Sequence, residues 1–375
     1  MLYLLQRLLK QLLISNIFLI IILSLLSIQC GKKTDSNFYE SKGIYNYTII
    51  KKDSLTFVYK DSIYVGQIED IQLWNNKILI SDFNKHLLVF DDHLTFIKMI
   101  GKNGRGPNEF TFPPIIVMGC KNLILIKPQE KKYCTYNENL DFLEEKKLPD
   151  NYYYIPNNPL NIGDKYILYC IDPSVYNNKD IYKNNYSLYA FDKNFNIVDN
   201  FYRWGGYYLD HKYYAYDRAT KSVLLAKSDN GFFASQTGNV EFAYFTSDLK
   251  NIKTFGLKPK HFIDPPIEPD ILKTQRSMET AIEFSTTFTY RDKIIYDKLN
   301  KCLILGYSNY NKDSFYKKSL LIGDHYLQIF DKNYNCIFDG SVPGLLAFTN
   351  KGFVYILTEQ TDKYIKFYGY EIVKK

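Results

Sequence analysis

At 375 residues the chain is too long for one small core and fits either a repeat architecture or two ordinary domains. Its formal charge of +7 is modest, and its 47 Lys and Arg are interspersed with 40 Asp and Glu, so no basic stripe marks a nucleic-acid binder. The 35 Tyr and 26 Phe, with frequent Ile and little Ala, favour pleated, half-buried strands over helices.

The N-terminus is set apart from the rest. Met1–Asn16 carries only Arg7 and Lys10 as charges, and Ile17–Ile28 is an unbroken apolar or small run leading to Cys30. A basic n-region and an h-region of this length predict a secretory signal over residues 1–29. The run is short for a spanning helix, which needs about 20 apolar residues, although Leu2–Leu13 upstream keeps an uncleaved signal anchor as an alternative. Leu25-Leu26-Ser27-Ile28-Gln29-Cys30 resembles a degenerate bacterial lipobox. That resemblance implies lipidation at Cys30, a lipidated linker over 30–43, and a folded domain over 44–375. It also implies a cell-envelope address, as an outer-membrane lipoprotein or in the periplasm, with the membrane as a partner through the lipid. The remaining cysteines, Cys120, Cys134, Cys170, Cys302 and Cys336, show no CxxC pair and no His-containing metal spacing. Five cannot all pair, so buried free thiols on strands are expected.

Beyond residue 44 one pattern recurs. Tyr45–Ile50 and Thr56–Val65 read as strands ahead of the first complete unit. Six hairpins then follow: Ile71–Trp74 with Lys77–Ile80, Ile115–Met118 with Leu123–Ile126, and a third turning at Gly163-Asp164 before Tyr166–Tyr169. The others are Val223–Ala226 with Phe232–Ala234, Ile294–Tyr296 with Cys302–Leu305, and Leu345–Phe348 with Phe353–Leu357. Their turns are rich in Asn, Asp, Gly and Lys. A second hairpin alternates with each. Its entering strand ends near an aromatic, usually before an Asp or Asn turn: Leu87–Phe90, Tyr133–Tyr136, Ser187–Phe191, Phe242–Phe245, Tyr326–Phe330 and Tyr364–Tyr368.

Two hairpins make a four-stranded antiparallel meander, and six such units predict an all-β, six-bladed β-propeller. The shorter intervals between turns match a blade of about 40–45 residues. Too little chain follows Tyr368 to supply a fourth strand, so an N-terminal strand is expected to complete the last blade and close the ring. Seven blades is the alternative, with Gly256–Tyr290 as the place for the extra one.

Gly101-Lys102-Asn103-Gly104-Arg105-Gly106-Pro107-Asn108-Glu109-Phe110, followed by Pro113-Pro114-Ile115, resembles the junction between blades of NHL-type propellers. Asn108 stands where that family often has Gly. The chain is similar to six-bladed NHL-like or TolB-like propeller lipoproteins of Gram-negative bacteria. The resemblance implies a fold and an address, and no particular activity.

Strand direction sorts the loops. Turns between strands one and two, and three and four, share one face and are short. The long loops, Asp172–Asn185, Tyr202–Lys221, Gly256–Tyr290 and Tyr307–His325, fall on the opposite face, around the channel mouth. Within them Arg203, Trp204, Tyr207, Tyr208 and Tyr214 offer flat aromatic and cationic surface suited to a sugar ring, peptide or protein. Arg218, Arg276 and Arg291 are candidate anion-binding groups at the mouth, with Glu283 as a partner. Arg105 and Glu109 are read as holding their interblade loop.

No catalytic residues are identified. The five His stand singly, and neither a Gly-x-Ser-x-Gly elbow nor a phosphate-cradling loop occurs. Gly101–Gly106 precedes a strand rather than a helix, which rules out a dinucleotide reading. Asp70, Asn157, Asn158 and Asp217 could imitate the carboxylate and Asn set that holds a channel metal in some propeller hydrolases, though strand-end Asp and Asn also serve turns. No metal or cofactor is expected. The leading expectation is a non-catalytic binding or scaffold module for a glycan, peptide or envelope protein, with no nucleic acid. The alternative is an envelope hydrolase or lyase with a metal in the channel. A third reading is a disc used only for assembly.

Overall fold

The computed structural model describes residues 38–60, 63–119, 121–149, 153–154, 159–171, 186–203, 223–237, 239–264, 277–317 and 319–375. Two strands, β1 (Phe38–Glu40) and β2 (Tyr47–Val58), come first. Blade 1 is β3 (Ile68–Trp74), β4 (Lys77–Asp82), β5 (His86–Phe90) and β6 (Phe96–Ile100). Blade 2 is β7 (Ile115–Met118), β8 (Leu123–Lys127), β9 (Lys132–Tyr136) and β10 (Phe142–Lys147). A two-residue strand, β11 (Tyr153–Tyr154), pairs with β13 of blade 3, which is β12 (Leu160–Ile162), β13 (Lys165–Ile171), β14 (Tyr186–Phe191) and β15 (Ile197–Arg203). Blade 4 is β16 (Val223–Lys227), β17 (Gly231–Gln236), β18 (Glu241–Thr246) and β19 (Asn251–Gly256), with β1 beside β19. Blade 5 is β20 (Tyr290–Asp297), β21 (Cys302–Asn309), β22 (Asp324–Phe330) and β23 (Cys336–Val342). Blade 6 is β24 (Leu345–Asn350), β25 (Phe353–Gln360) and β26 (Tyr364–Lys374), completed by β2.

The seventeen strand segments read from the twelve hairpins of the sequence all fall within strands of the fold. The inner strands β3, β7, β12, β16, β20 and β24 contact one another in turn, and β24 returns to β3. Six blades therefore close the ring, and the seven-blade alternative is set aside. The described part of Gly256–Tyr290 carries a helix instead, α1 (Met278–Ser285), started by a Ser277–Thr280 capping box. A second short helix, α2 (Lys312–Tyr316), lies between β21 and β22.

Each blade is apolar on both faces because both are covered. In β4, Ile78 and Ile80 join the apolar cluster shared with blade 6, and Leu79 between them joins the one shared with blade 2. The buried apolar residues form six clusters, one for each interface between neighbouring blades. Burying one such side chain is worth about 1.5–3 kcal/mol, so stability is distributed around the disc. The thiols of Cys134, Cys170, Cys302 and Cys336 are free and buried in these layers. Cys120 lies outside the described residues.

The turns from third to fourth strand repeat one device. The carboxylate of Asp91 accepts from the backbone N–H of His93 and Thr95, Asp192 from Asn194 and Asn196, and Asp331 from Asn333 and Asn335. Asn137 does the same for Asn139 and Asp141. The fourth turn residue in each, Leu94, Leu140, Phe195 or Tyr334, has φ between 61° and 66°. A large residue in the left-handed region is costly, and the burial of Leu94, Leu140 and Phe195 between blades, with Tyr334 half-buried, offsets that cost.

Closure departs from the expected pattern in one detail. A single strand, β2, pairs with β26 from Tyr47–Lys374 to Val58–Tyr364, with a bulge between Lys51 and Asp53. The run expected from Thr56 to Val65 stops at Val58, because β26 begins at Tyr364 and offers no further ladder partners. Tyr59 N–H makes a last bond to Lys363 O (2.8 Å), and the chain turns inward to bury Val65. Residues Tyr39–Lys375 form one compact unit.

At the Gly101–Phe110 junction, Gly101 has φ +81° and packs against the Phe110 ring, so a Cβ there would clash as well as strain. Asn108 has φ 57°, a conformation Asn tolerates where Gly is usual, and it accepts a hydrogen bond from Tyr136 OH. Glu109 caps Gly106 N–H at 2.8 Å and pairs with Lys102, which holds the loop closed.

Candidate functional site

The starts of the inner strands and the ends of the second strands ring one end of the channel. The β19–β20 and β21–β22 loops meet there, where Lys312 of α2 pairs with Glu283 of α1 at 2.6 Å. The sharing of one face by these two long loops, expected from strand direction, is thus visible directly.

Two cavities lie on the axis. The one of about 420 Å³ opens toward the insertion face and is lined by Gln67, Ile68, Glu69, Asp70, Asp292, Lys293, Leu345, Leu346, Leu357 and Gln360, among others. The other, about 480 Å³, lies toward the hairpin face against Trp74, Asn161, Lys227, Ile294, Phe348 and Lys351. Both volumes suit small ligands. Lys293 lines both. From blade 5 it reaches Asp70 of blade 1 at 3.1 Å and the Ile71 carbonyl, a cross-channel ion pair that forms a floor between the two. Gln72 Nε2 donates to the other Asp70 oxygen at 2.9 Å.

A buried polar chain leads away from the first cavity. The bulge between Arg291 and Lys293 turns Asp292 toward the void; its carboxyl is enclosed by protein but keeps part of its surface open to the cavity. Ser308 Oγ is hydrogen-bonded to Asp292 Oδ2, and Tyr310 OH donates to Oδ1 at 3.1 Å. Ser308 Oγ also lies 2.8 Å from His325 Nδ1, and His325 Nε2 lies 3.2 Å from the Leu321 carbonyl. Burial pushes Asp292 up to about 7, against the lowering effect of the Ser308 and Tyr310 hydrogen bonds. Burial also holds His325 below the ordinary imidazole value.

Of the residues expected at a ligand site, the three that are described, Arg203, Glu283 and Arg291, do not come together. Arg203 ends β15, with its guanidinium over the Tyr186 ring at 5.2 Å. Glu283 is on α1, paired with Lys312 rather than with an arginine. Arg291 is corrected: it is buried, not at the mouth. Its Nη1 donates to Ser235 Oγ and to the Asn239 carbonyl, and the guanidinium sits 4.5 Å over Phe242, clasping blade 5 to blade 4. Its neighbour at the bulge, Asp292, takes the channel side instead. Cys30, Trp204, Tyr207, Tyr208, Tyr214, Arg218 and Arg276 lie outside the described residues, as do Asn157, Asn158 and Asp217. Asp70 does face the channel, but as the partner of Lys293. Among the described residues no group of three or more His, Cys, Asp or Glu could hold a metal ion.

Sequence reasoning missed Asp292, Ser308, Tyr310 and His325. They are scattered singly along the chain, and only strand register joins them: Ser308 stands opposite His325 across β21–β22 and opposite Tyr290 across β20–β21.

Fold and axial cavity together define a six-bladed β-propeller with its candidate site at one mouth of the channel. The chain belongs to the DUF5128 family, described as a 6-bladed beta-propeller, which it matches over residues 53–339. It is similar to a solved member of the DUF4221 family from Bacteroides vulgatus, with 12% identity and TM-score 0.63 over 88% of this chain and 99% of that one. It is also similar to a Bacteroides fragilis protein named as exported, with 17% identity and TM-score 0.57 over 90% of this chain and 99% of that one. At these identities the likeness establishes the fold. Comparison with curated proteins finds no match.

Proposed function

We propose that this protein is an exported, non-catalytic binding module whose ligand, a glycan, peptide or protein segment, enters the axial cavity from the insertion face. The observation that carries this reading is a ligand-sized void at the mouth where the described parts of the β19–β20 and β21–β22 loops meet, floored by the Asp70–Lys293 pair and walled by both polar and apolar side chains. Asp70, the described member of the channel set considered for a metal, is neutralised by that lysine, which weakens the hydrolase or lyase reading.

The export signal expected over 1–29 and the similarity to a protein named as exported support an envelope address. Finer kinship with NHL-like or TolB-like lipoproteins rests on the Gly101–Phe110 junction and on Cys30. Anchoring is tested by Cys30→Ser, which should move the protein from the membrane to the soluble fraction; unchanged fractionation would count against a lipid anchor.

The cavity reading is tested by screening the purified protein against glycan and peptide pools, then repeating each hit with Leu320→Trp. Leu320 lines the cavity and is partly exposed, so a larger ring there fills space without entering the core. Binding should fall at least tenfold while thermal stability stays close to wild type. Hits indifferent to the substitution would place the site elsewhere.

A further inference from the structure

Hydrogens can be counted along the chain that leads from the cavity to His325. The Leu321 carbonyl beside Nε2 can only accept, so Nε2 carries a proton. In a neutral ring Nδ1 is then an acceptor and takes the hydrogen of Ser308 Oγ. Ser308 has only one hydrogen, so its second contact, with Asp292 Oδ2, needs a protonated carboxyl. The other complete arrangement moves one proton. Asp292 is ionised and accepts from Ser308, while His325, protonated on both nitrogens, donates from Nδ1 to Ser308. An ionised Asp292 beside a neutral His325 would set two lone pairs against each other inside a buried site, which is costly. Ser308 thus couples the charge of Asp292 to that of His325.

The cavity shows what would draw the proton across. Lys293 is engaged with Asp70, and among the described residues Asp292 has no cationic partner. Ile68, Leu345, Leu346 and Leu357 supply an apolar wall. Glu69, Asp70 and Lys293 on the cavity wall, Tyr310 on the carboxyl with Tyr290 against its ring, and Asp324 beside His325 are the described ionisable groups facing the chain. An anionic ligand would find Lys293, the cation on the described cavity wall, already engaged by Asp70. A sugar would present hydroxyls to the leucines.

We propose that the cavity is a subsite for a primary ammonium group on an apolar body, such as a peptide amino terminus or lysine side chain, which pairs with Asp292 and drives its proton through Ser308 to His325. This rests on the cavity being the ligand site and selects peptide over glycan. In the transfer the Asp292 O–H breaks toward Ser308 Oγ as the Ser308 O–H breaks toward His325 Nδ1. Ser308 ends with one hydrogen, as it began. A carboxylate and an imidazolium form together, with no proton exchanged with solvent.

The test is calorimetric titration of the purified protein at neutral pH with leucyl-leucine amide and with its N-acetyl derivative, alongside imidazole ¹⁵N spectra. The free amine should bind, acetylation and Asp292→Asn should each weaken binding at least tenfold, and the His325 signals should move from neutral to imidazolium on binding. Ser308→Ala should suppress that spectral change while the protein still folds and melts cooperatively, at a temperature lowered by the loss of two buried hydrogen bonds. Equal binding of both peptides, binding of neither at millimolar concentration, or a His325 that stays neutral would overturn the proposal. A glycan that binds and is blocked by Leu320→Trp would preserve the cavity and remove only the amine. Hits untouched by Leu320→Trp would remove the cavity itself.

Discussion

On the hairpin face, Asp91, Asp192 and Asp331 hold the same turn with the same two backbone donors, blade after blade. On the insertion face the corresponding strand ends lead into loops of unlike length, two of which carry helices among the described residues. One face repeats because a tight turn has few solutions and the same side-chain acceptor satisfies its backbone N–H groups each time. The other can vary because a loop between blades need only return the chain to the next inner strand. Folding information is concentrated on the first face, and individuality on the second.

Breaking the ring should abolish the distinction. A chain beginning at Tyr59 lacks the β2 ladder along β26 and the buried Leu55 and Phe57. At about 1 kcal/mol per ladder bond and about 1.5–3 for each side chain, the loss is on the order of a domain's whole net stability. Cooperative melting should disappear, and a normal melt would refute the closure.

The insertion face should reveal itself through pH. Asp292 has a raised carboxyl value in the folded protein, about 7, against 3.8 ordinarily. The folded state therefore holds its proton more tightly, so the contribution of Asp292 to stability is full below about pH 4, declines between pH 4 and 7, and levels off above. That decline is on the order of 4 kcal/mol. Asp292→Asn should flatten that part of the profile; parallel pH profiles for the two proteins would show that Asp292 is not the titrating group.

The smallest effect belongs to a single hairpin turn. Asp331→Ala removes the acceptor for Asn333 and Asn335 N–H and should cost about 1–2 kcal/mol, seen as a lower denaturant midpoint, with ligand affinity unchanged. A change in affinity would mean that the two faces are coupled through the blade.

The contrast also explains what was legible in the sequence. Blade count, hairpin positions and closure rest on short-range signals: apolar runs such as Leu123–Ile126 and turns such as Asn75-Asn76, which adopts φ of 48° and 59°. The positive φ of Leu94 or Phe195 left no trace, because nothing in a large apolar residue advertises that conformation. The site was least legible. Arg291 looked available because it follows a long loop, but the bulge that buries it against Phe242 turns Asp292 into the channel. Ser308 and His325 became neighbours only through register, which no local pattern states.

The β2–β26 ladder has a consequence in time as well as in space. Asp53 of β2 accepts a hydrogen bond from Tyr355, 302 residues further along, and the strand that seals the disc must wait for the end of the chain. Made N-terminus first, such a polypeptide cannot lock before β26 arrives. Until then β2 is an unmatched edge, and completion of the circle is an all-or-nothing event.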